Sequence, residues 1–292
     1  AATLFCPAHI LDSHAQYAAN DSDDATQLVG RKVRIATEGG ETTLTTRLLV
    51  VADGVHSTTR AALGIDTRER DYGQSAVIAN VRAERPHSGM AYERFTPEGP
   101  LAVLPAAEGR VCVVWPLPTE TAEWMAGEAS DATFLARLQA TFGWRLGKLE
   151  AVGTRALYPL AAVTATEFAT DRAVVLGNAA HALHPVGGQG LNLALRDVAA
   201  LAEALGEATD PGDADVLSAY AQSREGDYRR TYAFTDGLVR LFSNDSLALA
   251  AIRNIGLTAL DLIPPARRLL MKQGTGAAGN VPPLCQDQEA TS

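Results

Sequence analysis

Apolar residues repeat along this chain with two different periods, and the change of period divides it. Between residues 76 and 115 the repeat is two, so Ala76 to Val81, Ala91 to Phe95, Leu101 to Leu104 and Val111 to Trp115 each read as a strand. Turn signals separate these runs at Pro86, at Pro97-Glu98-Gly99-Pro100 and at Glu108-Gly109. One helix is predicted at 131–142. After residue 190 the repeat lengthens to three or four, which places Leu191, Leu195, Val198, Ala202 and Leu205 on one helical stripe. That helical pattern breaks near Asp210-Pro211-Gly212 and again at Pro264-Pro265. Two short apolar blocks read as buried strands: Leu48 to Val51, which stops at the turn dipeptide Asp53-Gly54, and Ala173 to Leu176, which stops at Gly177. Residues 1–66 as a whole read as strand, loop and strand.

Composition narrows the function classes. With 292 residues, 47% hydrophobic and 20% charged, the chain can bury a large core. A net charge of −9 argues against a nucleic-acid partner, since phosphate binders present a basic face. Cys6, Cys112 and Cys285 are scattered and lack metal-ligand spacing, which points to a reducing, cytoplasmic compartment. The tract from Ser246 to Ile263 is interrupted by Arg253, Asn254 and Asp261, so it should not span a bilayer. Arg267, Arg268 and Lys272 follow it. A core helix with a solvated basic end is the simpler reading; peripheral attachment to an anionic membrane surface is the other.

The candidate chemistry lies in residues 172–197. A strand ends at Gly177, a loop holds His184, Pro185, Gly187, Gly188 and Gly190, and a helix begins. Free backbone N–H groups and the positive end of that helix suit electron-rich ligand atoms, and glycines let the backbone approach a flat ligand closely. Many α/β proteins carry such a loop without a ligand. His181 and His184 have no third ligand nearby, so no metal is expected. Arg196-Asp197 can be a surface pair, and Arg224, Arg229 and Arg230 read as a solvated or interdomain face.

The full string GNAAHALHPVGGQGLNLALRD resembles the second flavin signature of the FAD-dependent aromatic hydroxylases, the p-hydroxybenzoate hydroxylase fold. Gly177, Ala179, Ala180, His181, Pro185, Gly188, Gly190 and Asn192 fall in register, while Asn178 stands where most members carry Asp. That departure is similar to the ubiquinone-biosynthesis branch, in particular the 2-polyprenyl-6-methoxyphenol hydroxylases. A second string, LLVVADGVHSTTRAALGI, resembles the family's A-D-G-x-x-S-x-x-R motif through Asp53, Gly54, Ser57 and Arg60. AYERFTPEGPLAVLP also resembles ubiquinone-branch sequences.

The resemblance implies an α/β (α+β) fold: part of a Rossmann-like FAD domain in 1–66 and 159–210, a mainly antiparallel substrate sheet in 67–158, and C-terminal helices in 211–292. It implies FAD held by Asp53, Gly54, Ser57, Arg60, Gly177, Asn178, Ala179, Pro185, Gly187, Gly188, Gln189, Gly190, Leu191 and Asn192. Pro185 would turn its carbonyl toward the reacting centre, His184 would approach the substrate or simply pack the loop, and His181 would bond backbone. Asp197 would be structural, as the Asp at this place is in the family, rather than half of a surface pair. NAD(P)H would reduce the flavin, and O2 would form a flavin hydroperoxide that hydroxylates a small aromatic, prenylated substrate. The family's opening G-x-G-x-x-G is missing near Ala1, so the chain reads as an N-terminally truncated, inactive fragment that holds FAD weakly or not at all. Alternatives are a hydroxylase of a small soluble aromatic acid, or a non-catalytic scaffold in a biosynthetic complex.

Overall fold

The computed structural model describes residues 2–19, 26–242, 263–274 and 281–285. Its centre is a six-stranded sheet. β5 (Thr67–Ala83), β6 (Tyr92–Thr96), β7 (Gly99–Pro105), β8 (Val111–Pro118), β9 (Leu149–Ala165) and β12 (His181–Ala182) lie in the order β12-β9-β5-β8-β7-β6, all antiparallel. The four strands read from the period-two pattern correspond to β5 through β8.

α2 (Thr119–Gly127) and α3 (Asp131–Phe142) cover one face of this sheet. Alternation sends Val77, Val103, Val113, Trp115 and Leu117 into that face, where they meet Met125, Phe134 and Leu138. The Ser130 side chain caps α3 by accepting from Thr133 N, and Gly143, at φ 90°, ends it.

A second sheet carries the parallel pair. β4 (Leu49–Val51) and β11 (Ala173–Val175) run side by side, and β10 (Ala169–Thr170) completes the order β10-β11-β4. Val51 and Val175 are cross-strand partners, so both strands end at the same level. In parallel sheets, ligands sit beyond the carboxyl ends of the strands.

Residues 1–66 correct the strand–loop–strand reading. They form a meander of β1 (Ala8–Ala19), β2 (Thr26–Thr37) and β3 (Gly40–Thr46), followed by β4 and the short helix α1 (Thr58–Ala62). The Thr-rich β3 pattern stays largely exposed, which is why it gave no hydrophobic signal. Arg172 binds this meander to the parallel pair, donating to the carbonyls of Leu28 and Arg47 and to Asp210.

The helical part comprises α4 (Gln189–Gly206), α5 (Ala214–Phe242) and α6 (Pro264–Gly274), with the break at 210–212 as read. The tract 246–263, apart from Ile263, lies outside the described residues. No described helix is long and apolar enough to cross a membrane. β9 runs unbroken through the expected 158/159 boundary, so the substrate sheet and the FAD-domain segment share one strand.

The α4 stripe needs correcting. Leu191, Leu195 and Val198 are exposed, whereas Leu193, Arg196, Asp197 and Leu201 point inward. The surface-pair reading of Arg196 and Asp197 and the solvated reading of Arg224 are therefore wrong, and the structural reading of Asp197 holds. Asp197 accepts from Arg224 Nε at 2.7 Å and faces His181 Nε2 at 2.5 Å. Asp227 accepts from Arg196 and Arg224. Two carboxylates and two guanidiniums thus neutralise each other inside, all at most 5% exposed. Burial pushes Asp227 up, but Arg196 and Arg224 outweigh it and hold the carboxyl below its ordinary value. A polar inward face reads from sequence as an outward one because its partners lie about thirty residues away. Arg229 and Arg230 are exposed as read.

Candidate functional site

The site forms where β4 and β11 end together. Beyond β4 the chain turns at Asp53-Gly54, with Gly54 at φ 97°. Ser57 caps α1 by accepting from Arg60 N at 2.9 Å. Burial would raise Asp53, yet hydrogen bonds from Ser57 and Thr59 hold its carboxyl below the usual range. Arg60 is buried and donates to the carbonyl of Ala179 at 2.8 Å. The two motifs, some 120 residues apart, are therefore joined by a hydrogen bond.

Beyond β11, Gly177 at φ 57° opens a tight turn that leaves Asn178 exposed and Ala179 buried. The loop then runs through Pro185 to Gly188 and into α4. Gly187 and Gly188 lie at φ 68° and 61°. A Cβ on Gly188 or Gly190 would meet nothing within 4 Å, so this backbone is open on its outer side. Pro185 O accepts Gly188 N at 3.0 Å. The next amides, of Gln189, Gly190 and Leu191, start α4 without an intrahelical acceptor, and no side chain caps them. Gly190 and Asn192 are half-buried and Leu191 is exposed. Gly187 N and Gly188 N already have acceptors, so the amides left open to a ligand are those at the start of α4, at Gly190 and Leu191.

The loop is tied to the six-stranded sheet at three places. His181-Ala182 pairs with Thr164 and Val163 of β9. His184 Nε2 meets Gln74 Oε1 at 3.3 Å, while its Nδ1 accepts Val186 N. Gly187 N donates to Glu93 Oε1 at 3.2 Å. Tyr72 and Gly73 form a bulge in β5, interrupting its register with β9 between Asp71 and Gln74. That bulge brings the Tyr72 ring edge-on to His184, with centroids 5.1 Å apart, and aims Gln74 at the imidazole. His184 is 1% exposed, and burial lowers its pKa to about 4. With Nδ1 accepting, the neutral ring carries its proton on Nε2.

His181 does not bond backbone through its ring as the sequence suggested. Its Nε2 takes Asp197, because α4 turns its charged face toward it, and the ring stacks on Tyr228. Gln189 is buried and its Nε2 donates to Gly187 O and to Gly274 O of α6. Sequence reasoning missed Tyr72, Gln74 and Glu93. No local spacing signals a strand residue about ninety positions from the loop it supports.

The glycine backbone, the uncapped helix start and an Asn178 side chain without a hydrogen-bond partner among the described residues fit the ring and ribityl portion of a flavin. Residues 187–191 would hold the ring edge, and Asn178 with Asp53 would face the polyol. Fold and loop together define an α/β protein with an open glycine loop at the ends of two parallel strands.

A family model for the FAD binding domain matches residues 8–235, and the chain belongs to that family. It is 41% identical to the ubiquinone hydroxylase UbiL of Rhodospirillum rubrum over 97% of this chain and 64% of that protein. It is 30% identical to the human mitochondrial ubiquinone biosynthesis monooxygenase COQ6, over 80% of this chain and 58% of that one. The chain thus spans about two thirds or less of these relatives' lengths. Its fold matches p-nitrophenol 4-monooxygenase PnpA of Pseudomonas putida with a TM-score of 0.70 at 20% identity, over 93% of this chain and 67% of that structure.

Proposed function

We propose that this chain forms the cofactor-ring and substrate portion of an FAD-dependent aromatic monooxygenase of ubiquinone biosynthesis. Its substrate is a polyprenylated phenol, with O2 as oxidant and NAD(P)H as reductant. One observation carries this reading: the uncapped amides at the start of α4, at Gly190 and Leu191, which follow a glycine backbone clamped against the six-stranded sheet. When bound, FAD supplies the oxygen activation and electron transfer that no side chain can provide.

The chain's own residues contribute position and field. The uncapped start of α4 favours developing negative charge at a ring edge by about 0.3–1 kcal/mol, up to ~2 kcal/mol when partly buried. Neutral His184 and Gln74 fix one part of the loop, and the Glu93 carboxylate holds it at Gly187. Relatives named as ubiquinone hydroxylases support the prenylated substrate. A small aromatic acid would need a cation, and Glu93 at the loop is an anion. A prenylated substrate also favours peripheral placement on a cytoplasmic membrane.

The test uses the flavin-loaded holoprotein. Gly188→Ala should weaken flavin binding about tenfold or more, through lost contact with several donors. Fold stability should fall by only about 1–2 kcal/mol, the cost of a positive φ in an alanine. The new methyl meets no protein atom. Unchanged flavin affinity, measured by fluorescence titration, would exclude the cradle. Asn178→Asp should leave flavin binding unchanged or tighten it, because a charged acceptor bonds a hydroxyl about twice as strongly. Clear weakening in the same titration would contradict the assignment of Asn178 to the polyol.

A further inference from the structure

Cross-strand pairing sets five side chains in one row on the face of the large sheet away from α2 and α3. They are Glu93 on β6, Ala102 on β7, Val114 on β8, Ile78 on β5 and Ala156 on β9. Their sequence neighbours Val77, Val103 and Val113 are at most 2% exposed in the core beneath. Ala102, Val114, Ile78 and Ala156 are only half-buried. Four interstrand steps make the row about 19 Å long, well beyond the width of a benzene ring.

The row is apolar except at one end. Glu93 Oε1 accepts the Gly187 amide, which places this carboxylate beside the cofactor loop. Its Oε2 has no hydrogen-bond partner among the described residues. A hydrogen-bond acceptor at the loop, continued by a hydrocarbon strip, complements an amphiphile with a hydroxyl at one end and a long apolar tail.

We propose that Glu93 is a substrate-positioning residue: its Oε2 accepts the hydroxyl hydrogen of a phenol whose hydrocarbon substituent lies along Ala102, Val114, Ile78 and Ala156. This rests on the hydroxylase reading above and adds the residue that orients the ring. Crowding at the loop raises the Glu93 carboxyl above its ordinary value despite an open flank to water, and the Gly187 N–H offsets only part of that rise. A more basic carboxylate is a better acceptor for a weakly acidic hydroxyl. The same negative charge disfavours aromatic carboxylates.

The experiment is equilibrium dialysis of 2-prenylphenol and of its O-methyl ether against the flavin-loaded holoprotein. The phenol should bind about tenfold more tightly than the ether, as expected for one hydrogen bond to a charged group. Glu93→Leu should erase that advantage and leave the ether's affinity unchanged. Glu93→Gln keeps an acceptor for the Gly187 amide, so the loop and its flavin stay in place. It should reduce the advantage, because the amide NH2 donates to phenol and ether oxygens alike. Ile78→Asp should weaken both ligands.

If flavin is retained and the phenol-to-ether ratio is the same in all Glu93 forms, Glu93 has no such role, and the hydroxylase reading stands. Failure of both ligands to bind the flavin-loaded protein would overturn the row as the tail's seat. If a protein of the relatives' full length that carries these residues holds no flavin, the hydroxylase reading falls, and Glu93's role with it.

Discussion

Replacing Asp197 by Ala should lower the unfolding free energy by about 3–5 kcal/mol, the usual cost of removing one partner from a buried ion pair. The carboxylate is 2% exposed and touches both Arg224 and His181. Its loss leaves a buried guanidinium with a single counter-charge, and a buried imidazole whose other nitrogen already lacks a partner. Asp197→Asn preserves shape and a hydrogen bond to His181 but not the charge, so it should fall between wild type and Ala. Urea denaturation with a constant m-value measures the difference. A loss below about 1 kcal/mol for the Ala variant would mean that Asp227 alone neutralises both arginines.

His184 should give the second large effect, as a dependence of stability on pH. In the unfolded chain it takes up a proton near 6.5, but in the fold burial holds it off until about pH 4. The unfolded state therefore binds more protons throughout that window. The neutral ring's contribution is complete above pH 6.5 and is lost as pH falls toward 4. The full loss is about 3 kcal/mol, converting the difference between the two pKa values. Unfolding curves at pH 7 and pH 4.5 for wild type and His184→Gln isolate it, since other groups titrate in both proteins. Parallel declines in the two proteins would show that the ring is not shielded.

Much of the site was legible because its backbone requires glycine. Gly177, Gly187 and Gly188 all adopt positive φ, a demand that few residues meet, and the sequence must display it. The strands β5 to β8 were legible because one face is dry and the other half-wet, which imposes alternation. β9 was not, since Gly153 and Pro159 interrupt it and its burial pattern has no clean period. α2 was missed for a similar reason, as only Ala122 and Met125 are buried in nine residues. The inward charges of α4 were illegible in principle: their compensation comes from α5, and a lone Arg-Asp pair looks like surface. Glu93 was hidden by the same non-locality, although its segment had already been recognised as family-like.

Because β12 pairing, His184 and Gly187 fasten the loop to β9, β5 and β6, the bed beneath a bound ring has no hinge of its own. In the proposed role, this floor would keep its contour while a flavin enters or leaves, and would act on its guest as a fixed mould does.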